Sequence, residues 1–295
     1  SVAIKNNTIP LLKNPLSLDA NSQKLLEECV DFYHETLLKE KAVLDYLKKR
    51  KLDSDELIKT FKLGFSNRTL GLRLPFKNRK DGSVLRNNLQ NIGILRKSGH
   101  EHFSGSLIVP VFDKTGQVSE VYGRKINDNL RSGTAYHLYL PGEHKGIFNR
   151  QNLESSNVET LILCEALIDA LSFYRYGFKN VTTSFGVAGF TDELFEFITA
   201  KPFKRVVVAY DNDEAGRKAA DVLAERLNAE GVEVKFFKQL EGSDINRLVV
   251  ESKYEKQALE EGLKYASFIG EGSLYSSSSL SSNLKNEEVS SFPLV

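Results

Sequence analysis

Four acidic residues in the second half of the chain, Glu165, Asp211, Asp213 and Asp244, are the side chains best placed to do chemistry. Each lies at or shortly beyond the end of a short apolar run that we interpret as a buried strand. Because ligands of open parallel sheets bind at the carboxyl ends of the strands, we expect these carboxylates to share one sheet edge. Carboxylates gathered without balancing Lys or Arg repel one another, and a hard cation relieves that repulsion. The spacing therefore predicts a site for Mg²⁺ or Mn²⁺.

Each carboxylate taken singly also has a structural interpretation. Glu165 could be a solvated side chain at a strand end, and Asp213 could cap the helix predicted over residues 214–230. Asp244 could belong to a turn or a helix cap. The coincidence of all of them at one predicted sheet edge favours the metal site.

The region around these residues has the pattern of a parallel α/β sheet. Apolar runs without period-two alternation are separated by helical stretches, which is typical of a parallel sheet covered by helices on both faces. We predict strands at residues 160–164, 180–183, 205–209 and 234–237, and helices at 166–176, 192–199 and 214–230.

The part of the chain before this sheet has two other patterns. Helical periodicity runs through residues 19–61 and predicts a small helical module. Over residues 64–150 short alternating runs are broken by turn residues, notably as a hairpin with strands at 106–112 and 118–124. We expect this second stretch to be β-rich, with its basic side chains projecting from strands.

The two halves of the chain carry opposite net charge. Residues 1–150 hold 25 Lys and Arg against 16 Asp and Glu, whereas residues 151–295 hold 15 against 23. The positive charge is densest between Lys62 and His100, where only Asp81 opposes it, and such a stretch is an electrostatic footprint for a polyanion. A solvated, Lys-rich surface is the alternative. The alternation of these basic residues with short apolar segments favours nucleic acid.

The composition of the whole chain excludes several classes of protein. The 295 residues are 41% hydrophobic and 27% charged, as in a globular protein of two or three domains, and no apolar run approaches the ~20 residues of a membrane span. Two cysteines, Cys29 and Cys164, are too few for a Cys-rich zinc site, and we expect both in the core. Since the chain opens without a signal-like segment, we expect a cytoplasmic protein with no membrane partner.

Three motifs together resemble a Toprim domain, the metal-binding fold shared by bacterial-type primases, type IA and type II topoisomerases and some nucleases. They are residues 163–171 (LCEALIDAL), 209–217 (AYDNDEAGR) and 242–246 (GSDIN). The resemblance implies catalytic roles for Glu165, Asp211 and Asp213. It implies that one or two metal ions are held by Glu165, Asp169, Asp211, Asp213 and Asp244.

The upstream region resembles the catalytic core of DnaG-type bacterial primases. The similar segments are residues 44–50, 61–65, 108–113, 121–125 and 147–150, and the whole resemblance covers about residues 40 to 250. It implies that nucleic acid or nucleotide is bound by Arg73, Lys77, Arg79, Arg86, Arg96, Arg124, Lys125, Asn149 and Arg150.

The combined prediction is an α+β fold. A small helical lead-in and a basic β-rich subdomain precede a parallel-sheet, Rossmann-like Toprim domain. The predicted regions are a flexible N-terminal segment at residues 1–18, the lead-in with the nucleic-acid-binding subdomain at 19–152, the Toprim catalytic domain at 153–269, and a Ser-rich disordered tail or linker at 270–295.

The chain departs from the family pattern at several points. Ala166 stands where the family commonly has Gly after its Glu, and Asn246 stands where many members have a further Asp. Asn can ligate a metal through oxygen but brings no charge to a second metal site. We also expect no zinc-binding domain of the kind that precedes the core in this family, because closely spaced Cys and His ligands are not offered. His100 and His102 have no Cys partners, so we interpret them as surface or nucleic-acid-contact residues and expect no zinc site.

The resemblance implies a DNA primase, a DNA-directed RNA polymerase and nucleotidyltransferase that makes short RNA primers from NTPs with Mg²⁺ or Mn²⁺. The expected partners are single-stranded DNA template, NTPs and RNA primer, with a replicative helicase as a further candidate, at the nucleoid or replication fork. Two alternatives stay open: a Toprim nuclease, and a non-catalytic nucleic-acid-binding module of a mobile element or phage. We do not expect a topoisomerase, because that enzyme needs a DNA-attacking Tyr and long gate domains, for which these 295 residues are too short.

Overall fold

The computed structural model describes residues 13–269. Residues 1–12 of the predicted flexible segment and the whole predicted Ser-rich tail, residues 270–295, lie outside the described residues. The described part contains two sheets with their helices, which we call the N-terminal sheet and the C-terminal sheet. Within it, no helix is long and apolar enough to cross a membrane.

Three helices open the described part of the chain. They are α1 (Ser22–Leu37), α2 (Lys41–Lys49) and α3 (Asp55–Thr60). Side-chain oxygens of Asn21 and Ser54 accept hydrogen bonds from backbone N–H groups in the first turns of α1 and α3, which fixes where these helices begin. The prediction of a helical module over residues 19–61 is confirmed.

The N-terminal sheet is an antiparallel meander whose strands pair in chain order. They are β1 (Gly64–Ser66), β2 (Ser106–Phe112), β3 (Val118–Lys125) and β4 (His137–Tyr139). Strands β2 and β3 form the predicted hairpin. The short edge strand β4 was not predicted, and its register places His137 opposite Arg124 of β3.

Two helices stand where the sequence predicted strands. They are α4 (Leu70–Arg73) and α5 (Lys80–Asn91), which lie between β1 and β2 in the chain. The prediction that the basic residues of this stretch project from strands is therefore wrong. In α5 the buried Leu85 and Leu89 are one helical turn apart, and they pack into a core that includes the buried face of α1. This spacing is a helical signal that the frequent Asn and Gly residues obscure.

The C-terminal sheet has five strands. They are β5 (Thr160–Cys164), β6 (Val181–Thr183), β7 (Arg205–Ala209), β8 (Glu233–Phe236) and β9 (Ser267–Phe268). Their order across the sheet is β6-β5-β7-β8-β9. The first four strands are parallel, as predicted, whereas the edge strand β9 pairs antiparallel to β8.

Helices cover both faces of the C-terminal sheet, as predicted. After the linking helix α6 (Arg150–Ser155), the chain places α7 (Leu167–Arg175), α10 (Ile245–Glu251) and α11 (Glu255–Lys264) on one face, and α8 (Asp192–Ala200) and α9 (Glu214–Ala229) on the other. In β7, Val207 faces the first set, while Val206 and Val208 face the second. Helices α10 and α11 and strand β9 were not predicted.

One hydrophobic core joins the two sheets. Phe61, at the end of α3, stacks on Phe148 with ring centroids 4.6 Å apart and meets the edge of Tyr174 from α7 at 4.6 Å. All three rings belong to a buried cluster that also contains residues of β2, β3, β5 and β7. The division into residues 19–152 and 153–269 stays a prediction, and this shared core argues against independent folding of the two parts.

Candidate active site

A cavity of about 210 Å³ opens at the carboxyl edge of the C-terminal sheet, where residues of β3 and β4 complete its lining. Four carboxylates line it: Glu165, Asp169, Asp211 and Asp244. The structure therefore brings together four of the five predicted metal-ligating residues. The fifth, Asp213, does not line the cavity.

Glu165 and Asp211 lie side by side because their strands are neighbours. Glu165 directly follows β5, and Asp211 lies two residues beyond the end of β7. The backbone N–H of Asp211 donates to Oε2 of Glu165 over 3.4 Å. The carbonyl of Glu165 accepts hydrogen bonds from the Gly186 N–H at 2.8 Å and the Thr183 hydroxyl at 2.9 Å. The backbone thus fixes both residues at the mouth of the cavity.

The surroundings of these two carboxylates disfavour their charge. Burial raises the pKa of Glu165, and the charge of Asp213 adds to the shift. Burial, followed by the charges of Glu165, Asp244 and Asp213, raises the pKa of Asp211 to about 7. Among residues 13–269, no Lys or Arg forms an ion pair with any of the five predicted ligands. No ion pair therefore neutralises the charge of these carboxylates.

Asp213 and Asp244 both cap helices, as their structural interpretation predicted. Oδ1 of Asp213 accepts a hydrogen bond from the Gly216 N–H at 2.8 Å at the start of α9. Oδ1 of Asp244 accepts one from the Arg247 N–H at 2.6 Å at the start of α10. Asp213 is exposed and acts on the cavity through its charge, whereas Asp244 caps its helix and also lines the cavity.

The last residues of the AYDNDEAGR motif build the loop that carries Asp211. A Cβ atom on Gly216 would lie 2.1 Å from the carbonyl oxygen of Asp211, so only Gly lets α9 start this close to the loop. Nη1 of Arg217 donates to the backbone and side-chain oxygens of Asn212 at 3.2 and 3.0 Å. Gly216 and Arg217 are therefore supports of the acidic loop, a role that the sequence analysis did not assign.

Asp169 lies in the most buried part of the cavity wall. Its side chain belongs to a residue that is 5% exposed, and Oδ1 accepts a hydrogen bond from the Asn246 N–H at 2.9 Å. Burial, followed by the charges of Asp244 and Asp211, raises the pKa of Asp169 well above its usual range. The surroundings of Asp169 therefore favour its protonated form.

Both polar atoms of the Asn246 side chain form hydrogen bonds to protein, although the residue also lines the cavity. Oδ1 accepts a hydrogen bond from Nη1 of Arg50 at 2.9 Å. Nδ2 donates to the Arg50 carbonyl at 3.1 Å and to Oγ of Ser172 at 2.9 Å. Asn246 therefore ties the end of α2 to α7, and its oxygen accepts a hydrogen bond from a cationic side chain.

The donor set fits a hard divalent cation, because it consists of carboxylate oxygens whose charge no basic side chain neutralises. Across residues 13–269, however, no three His, Cys, Asp or Glu side chains converge closely enough to hold an ion by themselves. Mg²⁺ is commonly bound by one or two carboxylates together with waters and substrate phosphates. The arrangement is suited to a cation whose remaining ligands come from a phosphate and from water.

Two guanidinium groups line the cavity as well, Arg50 after α2 and Arg124 on β3. Nη1 of Arg124 donates to Nε2 of His137, whose Nδ1 lies 2.9 Å from the Tyr122 hydroxyl. Because Arg can only donate, the proton of the neutral ring is on Nδ1 and is donated to Tyr122. Burial, followed by the charges of Arg124 and Arg50, lowers the pKa of His137 to about 4, so the ring is neutral at pH 7.

The sequence analysis found Arg124 but missed Arg50 and His137. Arg50 ends a basic run at the C-terminus of α2, where Lys and Arg are favoured by the helix dipole whatever the function. His137 contributes through β4, a strand of three residues that no periodicity marks. Only the packing of the two sheets against each other identifies Arg50 and His137 as residues of the cavity.

Lys125 was predicted to accompany Arg124, but the two side chains point to opposite faces of β3. Lys125 is 8% exposed, and its Nζ donates to the Ser104 carbonyl. Burial lowers the pKa of Lys125, and the nearby charges of Arg96 and Arg68 lower it further. Lys125 does not line the cavity, and its contact with nucleic acid or nucleotide stays a prediction.

Asn149 and Arg150 were predicted to face nucleic acid, and the structure gives both of them contacts within the protein. Nδ2 of Asn149 donates to the carbonyls of Lys179 and Val181, at 2.8 Å each. Arg150 forms an ion pair with Glu193 of α8 at 3.1 Å. Both residues anchor α6 to the C-terminal sheet, and a nucleic-acid contact for them stays a prediction.

The other five predicted basic residues do not line the cavity. They are Arg73, Lys77, Arg79, Arg86 and Arg96. Lys77, Arg79 and Arg96 are exposed on or near α5. Nη2 of Arg86 donates to the Pro75 carbonyl at 3.1 Å, so this side chain also holds the loop before α5. A nucleic-acid contact for these five residues stays a prediction.

The cysteines and histidines singled out in the sequence have simple environments. Cys29 and Cys164 are buried and free, which confirms the prediction that they are core residues. His100 is exposed. His102 is partly exposed, and its Nε2 lies 2.8 Å from the carbonyl oxygen of Tyr139. Its interpretation as a surface or nucleic-acid-contact residue stays a prediction.

Two family models match the chain. The family described as the DNA primase catalytic core, N-terminal domain, matches residues 32–153, and the family described as Toprim-like matches residues 162–249. A DNA primase of Campylobacter jejuni is 26% identical over 279 residues, which cover 90% of this chain and 45% of that protein. The chain spans about half the length of the curated relatives it matches.

Solved structures share the fold. The zinc-binding and RNA polymerase domains of the Aquifex aeolicus primase match with a TM-score of 0.66 and 24% identity, over 85% of this chain and 62% of that one. The catalytic domain of a DnaG primase bound to single-stranded DNA matches with a TM-score of 0.68 and 23% identity, over 84% of this chain and 79% of that one. The arrangement of a helical lead-in, an antiparallel sheet and a parallel sheet is therefore common to these proteins.

Proposed function

We propose that this chain, which carries the catalytic core of a DnaG-type primase with its Toprim domain, makes short RNA primers on a single-stranded DNA template. The reaction is nucleotidyl transfer from NTPs with release of pyrophosphate, and it depends on Mg²⁺ or Mn²⁺. One observation carries the proposal: the carboxylates of Glu165, Asp211 and Asp244 share a cavity with the guanidinium groups of Arg50 and Arg124. Oxygen ligands for a cation and donors for a phosphate are thus in one place.

The acidic residues of the cavity would hold the cation. A bound divalent ion neutralises triphosphate charge and activates the attacking 3′-hydroxyl. Glu165 and Asp211 are the first candidates for ligands, because the Asp211 N–H holds the two side by side. With its raised pKa, Glu165 is also the candidate acceptor for the proton of the attacking hydroxyl. Asp213 contributes negative charge, and Asp244 and Asp169 complete the acidic lining.

The basic residues of the cavity would hold phosphate. Arg124 is oriented by neutral His137, so its guanidinium is fixed before a ligand arrives. Such pre-organised donors stabilise charge that develops during phosphoryl or nucleotidyl transfer. Template DNA would lie along the exposed basic surface of Lys77, Arg79 and Arg96, whose phosphate contacts give affinity without sequence selectivity.

The partners follow from this reaction. Single-stranded DNA template, NTPs and the growing RNA primer would meet at the cavity. A replicative helicase is a further candidate partner, and the nucleoid or replication fork is the proposed location. The curated relatives are about twice as long as the matched region, so in them such contacts have room outside the catalytic core.

The direct test is extension of an annealed RNA primer on single-stranded DNA with labelled NTPs, in Mg²⁺ and separately in Mn²⁺. We expect metal-dependent extension that falls at least 100-fold in Glu165→Gln and in Asp211→Asn, because each change removes a charge from the site. Glu196→Gln is the matched control, since Glu196 is exposed on α8 and outside the cavity. The control should extend primers like the wild type.

The two alternatives give different results in the same experiment. A Toprim nuclease would shorten the DNA in a metal-dependent reaction without incorporating NTPs. A non-catalytic binding module would retain DNA in the presence of EDTA and show neither reaction. Either result would contradict the primase proposal.

A further inference from the structure

Two consecutive basic residues that follow α2, Arg50 and Lys51, form hydrogen bonds to the two ends of α10. Lys51 has a φ of 55°, and its Nζ donates to the carbonyls of Val249 and Ser252 at 3.1 and 3.0 Å at the far end of the helix. Arg50 binds the near end through Asn246, both from its guanidinium and from its carbonyl. The helical lead-in therefore fixes the helix that begins at the edge of the cavity.

Arg50 is a cation of the cavity without an anionic partner. Its guanidinium donates one hydrogen bond, to Asn246, and lies over the ring of Tyr46 with 5.5 Å to the centroid. In the described part of the chain no carboxylate lies within ion-pair distance of Arg50. Its other N–H groups have no protein acceptor there either. The charge is held in place but not neutralised.

The neutrality of Asn246 explains this arrangement. Asn246 is 1% exposed, and both polar atoms of its amide are used by Arg50 and Ser172. An amide orients a guanidinium without cancelling its charge, whereas a carboxylate at the same place would form an ion pair with it. Asn246 thus leaves the positive charge of Arg50 available, and its oxygen already faces that guanidinium, which disfavours a second cation there.

We propose that the Arg50–Asn246 pair forms a fixed cation of the catalytic cavity, and that the cavity consequently binds one divalent cation, with Arg50, beside Arg124, supplying fixed positive charge in place of a second ion. The inference rests on the proposed function. A guanidinium in the cavity repels a second divalent ion and attracts the phosphates of an incoming nucleotide. Arg50 would therefore contact the triphosphate, and Asn246 would act as its positioning residue.

The test is a titration of the full chain with Mn²⁺ alone, followed by electron paramagnetic resonance of the free ion. We expect one Mn²⁺ per chain. Arg50→Gln should tighten Mn²⁺ binding several-fold, because a repelling charge is removed, and weaken binding of α,β-methylene ATP at least tenfold. Asn246→Asp should neutralise Arg50 and allow a second Mn²⁺ to bind. A gain in metal affinity is a result that a misfolded variant would not give.

Asn180→Asp is the matched control, because Asn180 also donates from Nδ2 to a carbonyl, that of Thr160, but at the amino end of the sheet. Its Mn²⁺ stoichiometry and affinity should equal those of the wild type. Two equivalent Mn²⁺ ions in the wild type, or no gain of affinity or stoichiometry in either variant, would overturn the inference and leave the primase proposal standing. Absence of Mn²⁺ binding in the wild type, unchanged in Asp211→Asn, would instead remove the metal site on which both rest.

Discussion

The acidic and basic walls of the cavity are assembled in different ways. The acidic wall takes Glu165 and Asp211 from the ends of two adjacent parallel strands and Asp244 from the start of α10, a helix packed on the same sheet. The basic wall takes Arg50 from the residue after α2 and Arg124 from β3. Both α2 and β3 pack on the shared core from the side of the N-terminal sheet. The first wall follows from the topology of one sheet, whereas the second exists only when the two sheets are docked.

The largest effect on both walls is expected when the hydrophobic core that joins the two sheets is disrupted. Phe61→Ala deletes a ring that is 4% exposed and contacts both Phe148 and Tyr174, so we expect a loss of about 3–5 kcal/mol in the free energy of unfolding. Because the core is shared, both sheets should unfold in one transition at a lower urea concentration. Fluorescence and circular dichroism would follow that transition.

The control for this prediction is Phe76→Ala, since Phe76 is 54% exposed and lies outside the core clusters. Its transition should stay within about 0.5 kcal/mol of the wild type. Two separate transitions in Phe61→Ala, with only one of them shifted, would show that the sheets fold independently and that the predicted division at residues 152 and 153 is real.

The second prediction damages the acidic wall alone. Gly216→Ala places a Cβ atom 2.1 Å from the Asp211 carbonyl, so helix α9 and the acidic loop must separate, at a cost of about 3 kcal/mol. Displacement of Asp211 should lower primer extension about 100-fold even below the unfolding temperature. Binding of DNA to the basic surface should be unchanged.

Gly71→Ala is a suitable comparison for this variant. Gly71 lies in α4, a Cβ atom added to it would have no neighbouring atom within 4 Å, and its backbone adopts a conformation that Ala accepts. Its stability and extension rate should match or slightly exceed the wild type. If Gly216→Ala behaved like Gly71→Ala, the close approach would not be what positions Asp211.

The same contrast between walls explains what the sequence could predict. Strands β5 and β7 occur at the predicted residues, because uninterrupted apolar runs such as Val206–Ala209 are typical of buried parallel strands. Once those strands were placed, the common edge of Glu165 and Asp211 followed. The acidic wall is therefore encoded locally, in motifs that each follow a strand.

The missed features depend on contacts between distant parts of the chain. Asn149 has the polar character of a binding residue, but a positive φ of 62° and two carbonyl acceptors from the C-terminal sheet give it a structural role. Arg50 has the character of a helix-terminal surface residue, but Asn246 draws it into the cavity. Neither contact can be predicted from the composition of the chain or the spacing of its residues.

The third prediction concerns the charge repulsion within the acidic wall, which acts on Asp211. In EDTA at pH 8, Asp211→Asn should stabilise the protein by about 1–2 kcal/mol, a value reduced for partial exposure to solvent, although the same change should lower extension at least 100-fold. The pKa of Asp211 is raised to about 7 in the folded chain, against about 3.9 in an unfolded one. The folded state therefore holds the extra proton between these values, and its stability falls as pH rises through that window.

Urea unfolding of wild type and variant at pH 5 and pH 8 checks this sign. The advantage of Asp211→Asn should be larger at pH 8 than at pH 5, and saturating Mn²⁺ should reverse it by stabilising only the wild type. Asp192→Asn, a change on the exposed start of α8, serves as the reference for a lost carboxylate outside the cavity. A variant less stable than the wild type at both pH values would mean that the acidic wall is not under repulsion.

The smallest effect is expected from the basic wall, where His137 orients Arg124 without contacting a ligand itself. His137→Phe removes the acceptor of the Arg124 hydrogen bond, so binding of α,β-methylene ATP should weaken about three- to tenfold, while His100→Phe, at an exposed position, should have no effect. His137→Gln should restore much of the affinity, since its side-chain oxygen can accept the same hydrogen bond.

The pH dependence of nucleotide binding tests the charge state of His137. Because the pKa of His137 is lowered to about 4, binding of α,β-methylene ATP to the wild type should show no histidine titration between pH 5.5 and 8. Protonation of His137 should weaken that binding only below this range. A loss of affinity in wild type on going from pH 7.5 to pH 6 that is absent in His137→Phe would show that the ring is charged near neutrality and that Arg124 is held by something else.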